Sequence, residues 1–118
     1  MSVSPAEGYT VRAPLISFTV NDDGAAIAVI LDGEFDLSAE AASTQVVEYV
    51  GEVAAAAPRP VSIDMSLLTF LDASGIRFVL RLERVATLAS TTVEVCGANP
   101  DIRHLFTVVE LTRFLTSP

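Results

Sequence analysis

The sequence contains no lysine: its seven cations are all arginine, set against fifteen carboxylates, and the formal net charge is −8. Schiff-base chemistry on a lysine and the lysine of a phosphate-binding loop are thereby excluded. A pI near 4.3 argues against nucleic acid and anionic membrane surfaces as partners, because so few cations can displace their counterions. The single cysteine, Cys96, cannot form an internal disulfide, which suits a reducing compartment. The longest unbroken apolar run, Ala25 to Leu31, is too short to span a bilayer. Met1 to Pro14 holds polar residues and two prolines where a signal peptide would carry a basic flank and an apolar run. The expectation is a soluble cytoplasmic protein. Its 118 residues fit one domain with a core that needs neither metal nor disulfide.

What is present is patterned. Residues 1–14 show no hydrophobic period and hold Pro5, Gly8 and Pro14, the marks of an N-terminal tail or edge segment, so the domain is expected over 15–118. Ile16, Phe18 and Val20 alternate as a strand, Asn21 to Gly24 supply a turn, and Ala25 to Leu31 reads as an interior strand covered on both faces, the two forming an antiparallel hairpin. Beyond Asp36 the period becomes helical, with Val46, Val50, Val53 and Ala57 inward, Ser38 as N-cap and Pro58-Arg59-Pro60 as the stop. Val61, Ile63 and Met65 form a third strand, Asp72 to about Ala89 a second helix, and Thr92 to Cys96 a fourth strand. Asn99-Pro100-Asp101 starts a third helix carrying Ile102, Leu105, Phe106 and Val109 inward. Phe114 and Leu115 close the chain as a short strand or packed tail. The order β-β-α-β-α-β-α implies an α/β domain, a mixed and mostly parallel sheet flanked by helices.

No phosphate-binding loop, metal-ligand pair or nucleophile elbow is present, so no catalytic residue, cofactor or metal is assigned. His104, the only histidine, reads as a partly exposed helix residue, and Cys96 as a small core residue. The informative segment runs from Asp64 to Gly75, linking the third strand to the second helix. It places Asp72, Ser74 and Gly75 at a helix start beside the carboxyl end of the sheet, where open α/β sheets put their functional surface. Asp72 can be merely a cap and Ser74 a small polar residue. An exposed serine hydroxyl in a first helical turn can also be a phosphoacceptor, because the positive end of the helix tolerates a phosphate.

Three motifs carry a resemblance. Asp64-Met65-Ser66 followed by Phe70-Leu71-Asp72-Ala73-Ser74-Gly75 resembles the signature of bacterial anti-sigma factor antagonists, the single-domain STAS proteins. Gly33-Glu34-Phe35-Asp36 is similar to the acidic turn before that family's first helix, and Asn99 to Phe106 to its last helix. The match runs from about Leu15 to Leu115 and implies a STAS-like fold. It further implies partner switching that regulates transcription, as in bacterial stress response and sporulation. In the family the unmodified protein binds an anti-sigma factor that is also a serine kinase and so frees the sigma factor. Phosphorylation ends the binding, and a PP2C-type phosphatase resets it. Carried over by position, Ser74 is the phosphoacceptor, and Asp36, Ser38, Ser66, Asp72, Ala73, Ser74, Gly75 and Arg77 form the partner surface, with Gly75 leaving room for a partner's backbone.

Two positions depart from the family pattern: Ala73 stands where many relatives have a second hydroxyl residue, and Glu110 where a glycine is often seen. Arg77, Arg81 and Arg84 share one face of the second helix, a solvated face that could also orient an acidic partner. Two other readings use the same residues. One is a non-switching STAS interaction subunit of a signalling scaffold or a lipid transporter. The other, a hydrolase built on Ser74 and Asp72, lacks a neighbouring base.

Overall fold

The computed structural model describes residues 8–116; Met1 to Glu7 of the expected tail and residues 117–118 lie outside it. Ten elements follow one another: β1 (Tyr9–Arg12), β2 (Ile16–Asp22), β3 (Ile27–Phe35), a 3-10 turn (Leu37–Ala39), α1 (Glu40–Ala56), β4 (Val61–Leu71), α2 (Ala73–Leu88), β5 (Val93–Cys96), α3 (Pro100–Val108) and a second 3-10 turn (Thr112–Phe114). The strands lie in the order β1-β2-β3-β4-β5. The β1, β2 and β3 pairings are antiparallel, and β3-β4 and β4-β5 are parallel. From β2 onward this is the expected α/β order, and β1 adds one antiparallel strand at the edge.

β1 makes part of the expected tail or edge segment an edge strand, which the sequence could not show as a strand because four residues between Gly8 and the Ala13-Pro14 turn cannot display a period. Its hold is tertiary: Tyr9 stacks on Tyr49 of α1 with ring centroids 4.0 Å apart. β3 is not covered on both faces. Ile27, Val29 and Leu31 are fully buried, whereas Ala28 and Ile30 on the opposite face are only half-buried, since α1 and α2 pack together over one side of the sheet. In α1 the inward row is Ala42, Val46, Val50 and Ala54. Ala57 has left the helix in an extended conformation, and Val53 lies at the margin.

The largest difference concerns β4, which continues to Leu71 where the sequence pattern stops near Met65. Its pairing with β3 slips twice, between Ile30 and Asp32 and again between Gly33 and Glu34, each slip adding one residue on the β4 side. Buried positions therefore pass from Val61, Ile63 and Met65 to Leu68 and Leu71, which breaks the alternation that marks a strand. The backbone closes in here: Gly33 has φ +124°, and a Cβ on it would lie 2.1 Å from the Leu15 carbonyl oxygen. Only glycine fits.

α2 and α3 end alike. Ser90 and Glu110 have φ of 62° and 60°, and each helix closes with the paired bonds of a Schellman motif: Thr91 N–H to the Ala86 carbonyl and Ser90 N–H to Thr87, then Leu111 N–H to Phe106 and Glu110 N–H to Thr107. Glu110 thus takes up the left-handed turn that a glycine would occupy. Val109, expected in the buried stripe, is the cap of α3 and exposed. Leu115 makes a single parallel bridge to Val95.

At the amino ends of the parallel strands, Arg59 Nε donates to Asp22 Oδ1 at 2.7 Å and its Nη2 to the second carboxylate oxygen. The Arg59 hydrogen bond holds the Asp22 carboxyl below its ordinary value, and Asp22 in turn raises the Arg59 guanidinium. The Asp23 carboxyl is lowered by the Ala26 and Ala25 main-chain N–H groups. These groups stand at the opposite end of the sheet from the site described next.

Candidate functional site

Two turns of the same construction meet at the carboxyl ends of β3 and β4. Phe35 and Leu71 are direct partners across the sheet, so the aspartates that follow them, Asp36 and Asp72, leave neighbouring strands side by side. Asp72 N–H donates to the Phe35 carbonyl at 3.2 Å and ties the two turns together. In the first turn Asp36 Oδ1 accepts from Ser38 N–H at 2.9 Å and from Ser38 Oγ at 2.5 Å. In the second, Asp72 Oδ1 accepts from Ser74 N–H at 2.8 Å and from the Ser74 hydroxyl. Each aspartate is thus a side-chain cap with extended backbone. Ser38, expected to cap α1, lies inside the 3-10 turn as a donor instead. Its hydroxyl is spent on Asp36, and the cap role falls two residues earlier.

Below the turns lies a rigid base. Phe35, one residue before Asp36, and Phe78, one turn after Ser74, pack with Phe18 at centroid separations of 5.4 to 5.5 Å. All three are essentially inaccessible to solvent. Aromatic edges and faces meeting at these distances fix the start of α2 against the sheet.

Burial sorts the expected partner residues. Ser74 is not exposed: its relative accessibility is 7%, because its hydroxyl turns back onto Asp72 rather than outward. Gly75 is also buried, and the space it keeps serves the core, not a partner: a Cβ there would lie 2.1 Å from Leu71 Cδ1 and 3.3 Å from Phe35 Cγ. Ala73 and Ser38 are exposed, and Asp36 and Asp72 half-buried. Arg77 is exposed one turn into α2, where it and Arg81 reach Glu40 of α1 at 3.7 and 3.4 Å. Two cations of the arginine stripe are therefore engaged within the domain, leaving Arg84 as its exposed remainder. Ser66 does not join the cluster. It lies six residues before Asp72 on β4, about 20 Å along an extended strand, with its N–H held by Asp64 and its backbone against Gly97.

Sequence reasoning passed over the apolar part of this surface. Leu37, between Asp36 and Ser38, is 65% exposed, and Phe70, paired with Glu34, is 46% exposed. A leucine at the tip of an acidic turn was the available signal for the first. The slipped register of β4 concealed the second. With exposed Glu34 on β3 opposite Phe70, the surface combines carboxylates with uncovered apolar side chains, which mark interaction sites when they lie together. Among the described residues no cluster of three or more His, Cys, Asp or Glu side chains could hold a metal ion, and His104 is exposed on a separate helix, α3.

A family model described as "Mlab, STAS domain" matches residues 18–116. The chain belongs to the STAS domain family. Among solved structures, this STAS domain superposes on the unphosphorylated form of SpoIIAA, an anti-sigma factor antagonist, with a TM-score of 0.72 at 18% identity, covering 86% of this chain and 87% of that one. The phosphorylated form of SpoIIAA, described as a Bacillus cell fate determinant, gives a TM-score of 0.66 at 20% identity, with coverage of 86% and 90%. An anti-sigma factor antagonist from Mycobacterium paratuberculosis gives 0.67 at 23% identity, with 92% of each chain covered. At these identities the likeness is one of fold. No curated protein matches the sequence. No helix among the described residues is long and apolar enough to cross a membrane.

Proposed function

We propose that this STAS domain is an anti-sigma factor antagonist that acts by binding rather than by catalysis. Its unmodified form binds an anti-sigma factor with serine kinase activity and frees the sigma factor; phosphorylation of Ser74 ends the binding, and a PP2C-type phosphatase restores it. The observation that carries this reading is the position of Ser74 Oγ, in the first turn of α2 on the Asp72 carboxylate, next to the Asp36-Leu37-Ser38 turn with its exposed leucine. A phosphate on Ser74 would lose the bond to Asp72, since neither group then has a proton to donate, and would add about −1.5 to −2 of charge beside two carboxylates. The helix N-terminus offsets part of that repulsion. The consequence falls on the docking surface more than on the fold.

Incubation with a cognate kinase and ATP tests the reading by intact mass: a gain of roughly 80 Da, one phosphoryl group, is expected in the native chain and none in Ser74→Ala. Equal phosphorylation of Ser74→Ala would remove the site assignment. A Ser74→Asp variant is expected to lose the anti-sigma factor in a pull-down.

One observation favours a second reading. Ser74 is buried with its hydroxyl already engaged, as a structural residue would be. On that reading the same surface holds its partner constitutively, in a signalling scaffold or a lipid transporter, and Ser74→Asp retains the partner if the fold survives.

A further inference from the structure

α1 and α2 touch closely where Gly51 faces Val85; a Cβ on Gly51 would lie 3.4 Å from Val85 Cβ. Around this contact, toward the helix C-termini, the pair opens into an apolar groove of about 510 Å³, floored by Val47, Gly51 and Ala55 of α1 and Val85, Leu88 and Ala89 of α2. Leu88 is 76% exposed, the most exposed of the large apolar residues described. Glu48 and Glu52 stand on the α1 rim, one turn apart, and neither has an ion-pair partner among the described residues. Like charges at this spacing repel and destabilise the helix, an effect that a cation laid over both would reverse. On the far side of the same two carboxylates lies the stacked pair Tyr9 and Tyr49, whose rings add a face that favours a guanidinium.

We infer that this groove docks an amphipathic helix of a partner protein, with apolar anchors inserted between α1 and α2 and arginine or lysine over Glu48 and Glu52. A furrow between two packed helices accepts a third by the ridges-into-grooves geometry that packs helices in cores. The rim charge selects a basic occupant. A second copy of this chain suits it poorly, because its net charge is −8 and four of its arginines are engaged by its own carboxylates. Val85 lies eleven residues beyond Ser74 on α2, about 16 Å along the helix axis, so the groove stays available whatever the state of Ser74. The domain can then be held by one protein through the groove while its other surface engages a second.

The test is an isotope-labelled NMR titration of the full chain with a synthetic helical peptide of about 16 residues, with leucines at i, i+3, i+4 and i+7 flanked by arginine. A control peptide carries glutamate for arginine. Expected are shifts of the Val47, Gly51, Val85 and Leu88 amides with the Ser74 amide unmoved, the same response in Ser74→Asp, and at least about tenfold weaker binding of the control. Leu88→Glu and Glu48→Lys/Glu52→Lys, checked for native circular dichroism, each weaken binding by a similar factor. No binding of the arginine peptide, equal binding of both peptides, or shifts outside the groove overturn the proposal. So does a concentration-dependent dimer that Leu88→Glu dissociates, which gives the groove to a second copy, or groove amides that move on deletion of residues 1–7, which gives it to the chain's own terminus.

Discussion

Asp36 and Asp72 perform the same bond at the ends of two adjacent parallel strands, each carboxylate accepting from the main-chain N–H and the hydroxyl of the serine two residues on. The repetition places two Asp-x-Ser turns shoulder to shoulder, one before α1 and one before α2. Phe35 and Leu71 pair directly beneath them, and the bond from Asp72 N–H to the Phe35 carbonyl ties one turn to the other.

The capping role has a measurable size. Asp72→Ala is expected to lower unfolding free energy by about 1 kcal/mol, the usual cost of losing a side-chain N-cap, and Asp36→Ala by a comparable amount. Asn at either position keeps a neutral acceptor and most of the stability. Denaturant unfolding reads the difference. A loss under a few tenths of a kcal/mol in Asp72→Ala would show that the carboxylate does not hold the start of α2.

Gly75 supports the site from beneath. Its Cβ position collides with Leu71 Cδ1 at 2.1 Å and Cγ at 2.8 Å, and Phe35 closes the remaining space. Gly75→Ala is expected to destabilise by about 1–3 kcal/mol, as overpacked cores do. Shortening the obstructing side chain should relieve the crowding, so Gly75→Ala/Leu71→Val loses less than the sum of its parts. Strict additivity in thermal unfolding would locate the collision elsewhere.

Acid sensitivity is expected at the far end of the sheet. With its folded pKa held below the ordinary 3.8 by Arg59, Asp22 contributes stability that is fully present above that value and is lost as pH falls through the lower folded value. Arg59→Gln should cost about 1.5–3 kcal/mol at neutral pH, the range for hydrogen bonds to charged groups. The gap between native chain and variant should narrow below pH 3.8 and stay constant from about pH 5 upward. Unfolding curves across that range decide it; a gap that widens on acidification contradicts the assignment.

Ser90 and Glu110 hold left-handed backbone that favours glycine. Ser90→Gly and Glu110→Gly are each expected to stabilise by about 0.5–1 kcal/mol, and to add, since they close different helices. Calorimetry would register each as a rise in Tm, and a fall in both would mean that side-chain contacts outweigh the backbone strain.

Much of the fold was legible because its signals are short-ranged. The Asn99-Pro100-Asp101 start of α3 appears as read, with the Asn99 side chain accepting from Ile102 N–H at 2.9 Å. The β2-β3 hairpin forms as an antiparallel pair, and the second helix, expected from Asp72 to about Ala89, runs Ala73–Leu88 with Asp72 as its cap. The candidate site was legible as a set of residue types. Its inventory was less so: Ser66 is remote, Gly75 faces inward, and the exposed Leu37 and Phe70 went unnoticed. Each miss turns on where a side chain points, and in β4 two slips of register decide that.

Caps, turns and periodicity are contests among atoms a few residues apart, and so the sequence alone determined the helices, the hairpin and the Asp72 cap of α2. Only the tertiary structure decided that those turns are neighbours, that Ser74 is buried against Asp72, and that Tyr9 adds an edge strand by stacking on Tyr49. The physical reason is the range of the interactions. Phe35 meets Leu71 across the sheet, and Phe18 meets Phe78 across the core. Contacts between residues so far apart in the chain arise from strand register and close packing, which no local window of sequence contains.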